Sequence, residues 1–228
     1  MLSRLTRSVL DLVFPIHCAG CGQEGGVICD RCADGPERLM PPYCRICADP
    51  GISGLCRWCS QSPRGFESLR SPFRFEGPVR DAIHRLKYKG ERASAGLLAG
   101  LMAEYLERNP APADAVIPAP LHPRRLRSRG YNQSALLARE IGKRLNLPVR
   151  EDLLVRVRNP RPQVEAQSQQ ERRDNVAGNF VCNADASGLT ALLIDDVATT
   201  SSTLSECALA LRDSGAVRVH ALTLAREG

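Results

Sequence analysis

Four copies of one short motif decide what the N-terminal part of this chain can become. Cys18-Ala-Gly-Cys21, Cys29-Asp-Arg-Cys32, Cys44-Arg-Ile-Cys47 and Cys56-Arg-Trp-Cys59 repeat the same two-residue gap. That gap lets both thiolates of a knuckle face one ion, and two knuckles complete a tetrahedral sulfur set that suits zinc. A disulfide framework belongs to oxidising compartments and rarely keeps so regular a spacing. Eight of the ten cysteines are therefore assigned to two structural Zn²⁺ sites. Two pairings are open. Sequential pairing groups Cys18, Cys21, Cys29 and Cys32, then Cys44, Cys47, Cys56 and Cys59, whereas a cross-braced arrangement joins the first knuckle to the third. Sequential pairing closes the shorter loops. With little apolar content in this stretch, metal has to hold the module folded. Cys182 and Cys207 stand alone and are expected to be buried small hydrophobes.

Beyond Cys59, residues 60–72 read as a linker, dividing the chain into a zinc module with an N-terminal helix (1–62) and a larger domain (63–228). Helical apolar spacing covers 79–87, 91–108 and 132–145, and the helix after the TALLIDD strand closes on Gly215. Short apolar runs at ADAVIPAP, LPVREDLLVRVR, NFVC, TALLIDD and AVRVHALTLAR read as strands. Strands alternating with helices give an α/β fold with a mainly parallel sheet, and such sheets bind ligands beyond the carboxyl ends of their strands. The polar segment 158–175 is too long for a simple connector and reads as a mobile functional loop. A net charge of +6, with arginine clusters at 124–129, 156–161 and 172–173, permits phosphate-bearing partners. No apolar run reaches the roughly 18–20 residues of a membrane span. The start of the chain reads as an amphipathic helix carrying Leu2, Leu5, Val9 and Leu12 rather than a secretion signal, so a cytoplasmic protein without membrane insertion is expected.

The stretch LLIDDVATTSST at 192–203 carries the chemistry. Leu192–Ile194 is expected as a buried strand with Asp195 and Asp196 at its carboxyl end, a turn from Ala198 to Ser202, and a helix from near Thr203. Consecutive backbone N–H groups, hydroxyls and a helix N-terminus make an anion cradle. Two acids beside a phosphate repel it unless the ligand also offers hydroxyls, since ionised carboxylates only accept hydrogen bonds. The stretch thus asks for a sugar phosphate. Helix capping alone explains the hydroxyls but not the acids. Neither a nucleotide P-loop nor a dinucleotide-binding glycine motif occurs.

LLIDDVATTSST resembles the 5-phosphoribosyl-1-pyrophosphate (PRPP) signature of type I phosphoribosyltransferases. With the four knuckles, IHRLKYKG at 83–90, IPAPLHPRRLRSRGYNQS at 117–134 and QSQQERRDN at 167–175, the order of motifs resembles the ComF family (competence protein F, amidophosphoribosyltransferase-like) along nearly the whole chain. The resemblance implies a type I phosphoribosyltransferase fold behind a double zinc ribbon, and phosphoribosyl transfer to an acceptor that the sequence does not name. By that resemblance Asp195 and Asp196 hold the ribose hydroxyls, and Ala198, Thr199, Thr200, Ser201, Ser202 and Thr203 form the 5′-phosphate turn. The loop with His122, Arg124 and Arg125 faces the pyrophosphate, Mg²⁺ accompanies PRPP, and Arg172 or Arg173 reaches the leaving group when its loop closes. Lys87 and Tyr88 are expected to approach the ligand. The chain departs from the pattern at Ser201, usually Gly, and at Ala198, usually a larger aliphatic. The family is also associated with bringing single-stranded DNA into the cytoplasm during transformation. DNA and the uptake machinery are the alternative partners, although an aromatic content of 4% is low for base stacking.

Overall fold

The computed structural model describes residues 17–24, 26–32, 35–157 and 179–228. The expected N-terminal helix, the 158–175 loop, Arg172 and Arg173 lie outside the described residues. In chain order the elements are α1 (Arg57–Gln61), β1 (Ser68–Arg70), β2 (Phe73–Arg74), α2 (Gly77–Tyr88), α3 (Ser94–Arg108), β3 (Ala115–Pro118), α4 (Pro123–Arg129), α5 (Gln133–Leu145), β4 (Leu154–Arg156), β5 (Phe180–Cys182), β6 (Thr190–Ala198), α6 (Ser202–Asp213) and β7 (Arg218–Arg226).

Near-continuous apolar runs make the two long strands, as expected of strands buried on both faces. The main sheet runs β1–β7–β6–β3, with β2 also on β7, and each of these pairings is parallel. β1 and β2 keep one register, Ser68 opposite His220 and Phe73 opposite Ala225, so they form a single edge line broken at Ser71-Pro72. Proline has no N–H for the ladder. Across the break the Ser71 and Thr223 hydroxyls bond at 2.6 Å.

Leu192 and Ile194 of β6 face a core shared with Ile83 and Leu86 of α2, Leu98 and Met102 of α3, and Leu137 and Ile141 of α5. Ala191 and Leu193 face the opposite core, with Leu204, Cys207 and Leu211 of α6, Leu154 and Phe180 of the β4–β5 pair, and the second cysteine set. β3 ends at Pro118, opposite Ile194, while β6 continues against β7 as far as Ala198 opposite Arg226. The last four residues of β6 therefore lie beyond the end of β3.

Several expectations need correction. The acids do not follow the strand but sit inside it, because β7 continues to pair with β6 past them. Residues 60–72 are not a free linker: Phe66 and Leu69 are buried, β1 lies within the segment, and a Cβ on Gly65 would stand 2.4 Å from the Leu209 nitrogen of α6. The described part of the expected 147–158 strand is split: Val149 makes a parallel bridge to Val116 of β3, while Leu154–Arg156 pairs antiparallel with β5 in a separate two-stranded sheet. The expected loop after the first core strand, carrying His122, Arg124 and Arg125, contains helix α4. Cys207 is fully buried, but Cys182 is only half-buried and its thiol lies 3.2 Å from the Ala184 carbonyl.

Candidate functional site

The cysteines gather in sequential pairing. The Sγ atoms of Cys18, Cys21, Cys29 and Cys32 lie within 4.8 Å of one another, as do those of Cys44, Cys47, Cys56 and Cys59. Cys21 and Cys29 are separated by 3.6 Å between sulfurs, and Cys47 and Cys56 by 3.7 Å. A ZnS₄ tetrahedron with bonds of about 2.3 Å has edges of about 3.8 Å, so both sets fit zinc. Backbone N–H groups brace them from outside. Gly20 and Cys29 donate to Cys18 Sγ, and Cys56 donates to Cys44 Sγ, each at 3.3 Å. The second set is buried throughout, whereas Cys21 is exposed.

The strand position of the acids decides their surroundings. Alternation sends Asp195 and Asp196 to different sides, and the N-terminus of α5 reaches both. Ser134 Oγ donates to Asp195 Oδ1 at 2.6 Å, and the Asp196 N–H donates to the same oxygen at 2.9 Å. Gln133 Nε2 donates to Asp196 Oδ1 at 3.4 Å. Asn132 caps this helix through the Ser134 N–H and ties it to β3 through the Ala119 carbonyl. Asp196 is buried, and its Oδ2 meets Lys87 Nζ at 2.5 Å in an ion pair off good hydrogen-bond directions. Burial pushes the Asp195 carboxyl up to about 7, and the charge of Asp196 adds to that. The Ser134 hydroxyl and Lys87 pull the other way.

The turn behind the acids is strained. Ser201 adopts φ 60°, ψ 11°, the left-handed region. This is the position where the resembled pattern has Gly, and the conformation costs a non-glycine residue about 1–2 kcal/mol. Ser201 stands at the N-cap of α6 without using its side chain as a cap. Its hydroxyl is buried with no partner among the described residues. Thr200 and Ser202 hydroxyls bond each other at 2.9 Å. Ala198 is buried, Thr199 exposed and Thr203 partly exposed.

The basic residues form a separate face. His122 Nδ1 accepts the Arg124 N–H at the start of α4, and Arg124 and Arg125 are exposed. Arg125 shares a cavity of about 300 Å³ with Lys87, Tyr88, Arg129 and Tyr131. Lys87 thus links that cavity to Asp196. Thr199 and Thr200 line a different cavity, shared with Cys47, Arg64 and Arg226. Gln133, Ser134 and Arg226 were not singled out in the sequence. YNQS carried a signal for the first two only as a motif of no assigned role.

A mainly parallel α/β core with an acid-bearing strand leading into a hydroxyl-rich turn, behind two four-cysteine sites, defines an α/β protein with an N-terminal double zinc ribbon. Residues 9–63 match the family described as Double zinc ribbon domain. DNA utilization protein YhgH of Salmonella typhi is 31% identical over 207 residues, covering 87% of this chain and 90% of the relative. Competence protein F of Haemophilus influenzae is 28% identical over 226 residues, covering 92% and 96%. The chain belongs to their family, the ComF family. Among solved structures, glutamine PRPP amidotransferase from B. subtilis overlaps 57% of this chain and 26% of its own, at 19% identity and a TM-score of 0.40.

Proposed function

We propose that this chain is a cytoplasmic PRPP-binding protein whose ribose and 5′-phosphate sites are the two acids of β6 and the turn into α6. The observation that carries the reading is Ser201: a strained residue with a buried, unpartnered hydroxyl, directly after an acid-bearing strand and at the N-terminus of a helix. An orphan hydroxyl costs about 1–3 kcal/mol, and strain of this kind concentrates at ligand-binding turns. A phosphate on the turn would satisfy the hydroxyl and meet the positive end of α6. Lys87 offsets the charge of Asp196, which lessens the repulsion between the acids and an anionic ligand. The Asp195 bonds both converge on Oδ1, so Oδ2 is the oxygen left to accept from a ribose hydroxyl.

The all-oxygen donors here suit a hard cation, and Mg²⁺ would arrive on the pyrophosphate rather than in a dedicated protein cage. Its chemistry is to neutralise the departing pyrophosphate. In transfer to an acceptor, the chain's own work would be orientation and electrostatic stabilisation, with Arg124, Arg125 and Arg172 on the leaving group.

Ser201→Gly tests the reading by separating stability from binding. Removing the strained serine is expected to raise unfolding stability by about 1 kcal/mol, while loss of the hydroxyl weakens PRPP roughly tenfold. Thermal unfolding and calorimetric titration measure the two. Unchanged or tighter PRPP binding by the variant would show that the phosphate does not use the Ser201 hydroxyl and would leave only the backbone N–H groups of the turn to hold it.

The elevated Asp195 carboxyl gives a pH dependence. Only its ionised form accepts from a hydroxyl without holding a proton, so PRPP affinity should rise between about pH 6 and pH 8 and flatten above. The same shift acts on stability in the opposite direction. The folded state keeps the proton longer than the unfolded chain, so this group's contribution falls as pH rises from about 4 to about 7. In Asp195→Asn both slopes should diminish. PRPP affinity with the same pH profile in that variant would assign the titration elsewhere.

A second reading, single-stranded DNA handling, draws on the basic face. Arg129 lies over the exposed Tyr88 ring at 5.2 Å, whereas Tyr131, under Arg92 at 4.5 Å, is buried and offers no stacking face. An aromatic platform beside an arginine suits stacked bases and a phosphate backbone. Two relatives are named DNA utilization protein and competence protein, which agrees with this. Oligonucleotide affinity should fall with salt, and Arg124→Ala with Arg125→Ala should flatten the slope by about two contacts. An unaltered slope would exclude α4 from the interface.

A further inference from the structure

We infer that Arg226 positions the phosphate turn by tying it to the loop of the second cysteine set. Arg226 is the last residue of β7, opposite Ala198, and only 4% exposed. A guanidinium is seldom so buried unless its donors are engaged. Nη1 donates to the Thr199 carbonyl and Nη2 pairs with Asp49 Oδ1 at 3.2 Å, while Nε is buried with no partner among the described residues. Asp49 belongs to the second set's own loop, where its carbonyl accepts the Cys44 N–H at 2.8 Å. The next residue adds a strap, the Glu227 N–H donating to the Ala198 carbonyl at 2.9 Å. Cys47, Cys56, Thr199, Thr200 and Arg226 border one cavity of about 250 Å³, so the cysteine set and the turn are neighbours. The first set is tied elsewhere, through Arg85 of α2 to the His17 carbonyl.

What the tie does follows from the planarity of the peptide. In a trans unit the C=O and the next N–H point in opposite directions. A guanidinium holding the Thr199 oxygen on the cysteine side therefore turns the Thr200 N–H away from it. An amide fixed before a ligand arrives costs no reorganisation when an anion binds, which is how backbone N–H groups make an efficient cradle. Arg226 need not touch the ligand to govern this.

The ligand part of the inference rests on the PRPP reading, but the positioning part does not. Hydrogen exchange on the full-length, zinc-loaded protein without ligand reads the first turn of α6, where the Ser205 N–H bonds to the Ser201 carbonyl. Arg226→Ala should speed exchange there by on the order of tenfold, the factor carried by one charge-assisted hydrogen bond, and weaken PRPP by a similar factor. Exchange at Leu192–Ile194 should hold. Arg226→Lys should recover part of both losses, because an ammonium keeps the charge but not the fork. Asp49→Asn should shift both readouts the same way and less, and it decides the matter should Arg226→Ala fail to fold. Unchanged exchange at the turn in the folded variants, or an equal rise across β6 and the turn, overturns the positioning role. If the wild type binds no PRPP while the turn still loosens, the ligand reading fails and the positioning role stands.

Discussion

Conversion of both Asp195 and Asp196 to asparagine is expected to lower PRPP affinity by on the order of a hundredfold or more. Two hydroxyl-to-carboxylate hydrogen bonds, each of about 1.5–3 kcal/mol, account for that size. The single variants should differ in stability, and this asymmetry is what makes the prediction specific. Asp196 is buried against Lys87, whose side chain is 19% exposed. Asp196→Asn leaves that ammonium without its anion and should cost about 1–3 kcal/mol of stability. Asp195 already favours its neutral form through burial and the neighbouring charge. Asp195→Asn should therefore leave stability unchanged or raise it slightly, measured by denaturant unfolding near neutral pH. Equal stability losses in the two variants would contradict the charge arrangement described for the pair.

The second large effect concerns metal. Replacing Cys44 or Cys59 by serine should lower the unfolding midpoint of the whole chain, at a cost of several kcal/mol, because a structural zinc site contributes its binding energy to folding. These cysteines share an apolar cluster with Leu69, Ile117, Leu193 and Leu204, so the sheet loosens with the site. Cys21→Ser should affect chiefly the N-terminal segment, since that cysteine is exposed and its set lies against α2. Zinc content by elemental analysis should read two ions per chain, and a chelator should strip the first set before the second. Identical midpoint losses for Cys21→Ser and Cys59→Ser would show that the two sites are energetically alike.

Much of this was legible in the residues because local spacing determines it. The knuckle interval marks both four-cysteine sites, and the apolar runs within TALLIDD and AVRVHALTLAR mark buried strands. β1 escaped because three residues, Ser68–Arg70, offer no periodicity, and its burial depends on β7 far along the chain. α4 was legible in principle, with Pro123 at its first turn and Gly130 at φ 77° as its stop, yet its run of arginines hides any apolar face. The depth of the acids in β6 depends on how far β7 continues beside it. The Lys87–Asp196 and Arg226–Asp49 pairs join residues more than a hundred positions apart, and only the folded chain brings them together.

Calorimetric titration of the folded, zinc-loaded protein with PRPP and Mg²⁺, beside the Asp195→Asn/Asp196→Asn variant, tests the central claim most directly. Saturable binding at one site per chain, lost in the variant, is the predicted result. A flat titration of the wild type, or the same affinity in both proteins, would contradict it.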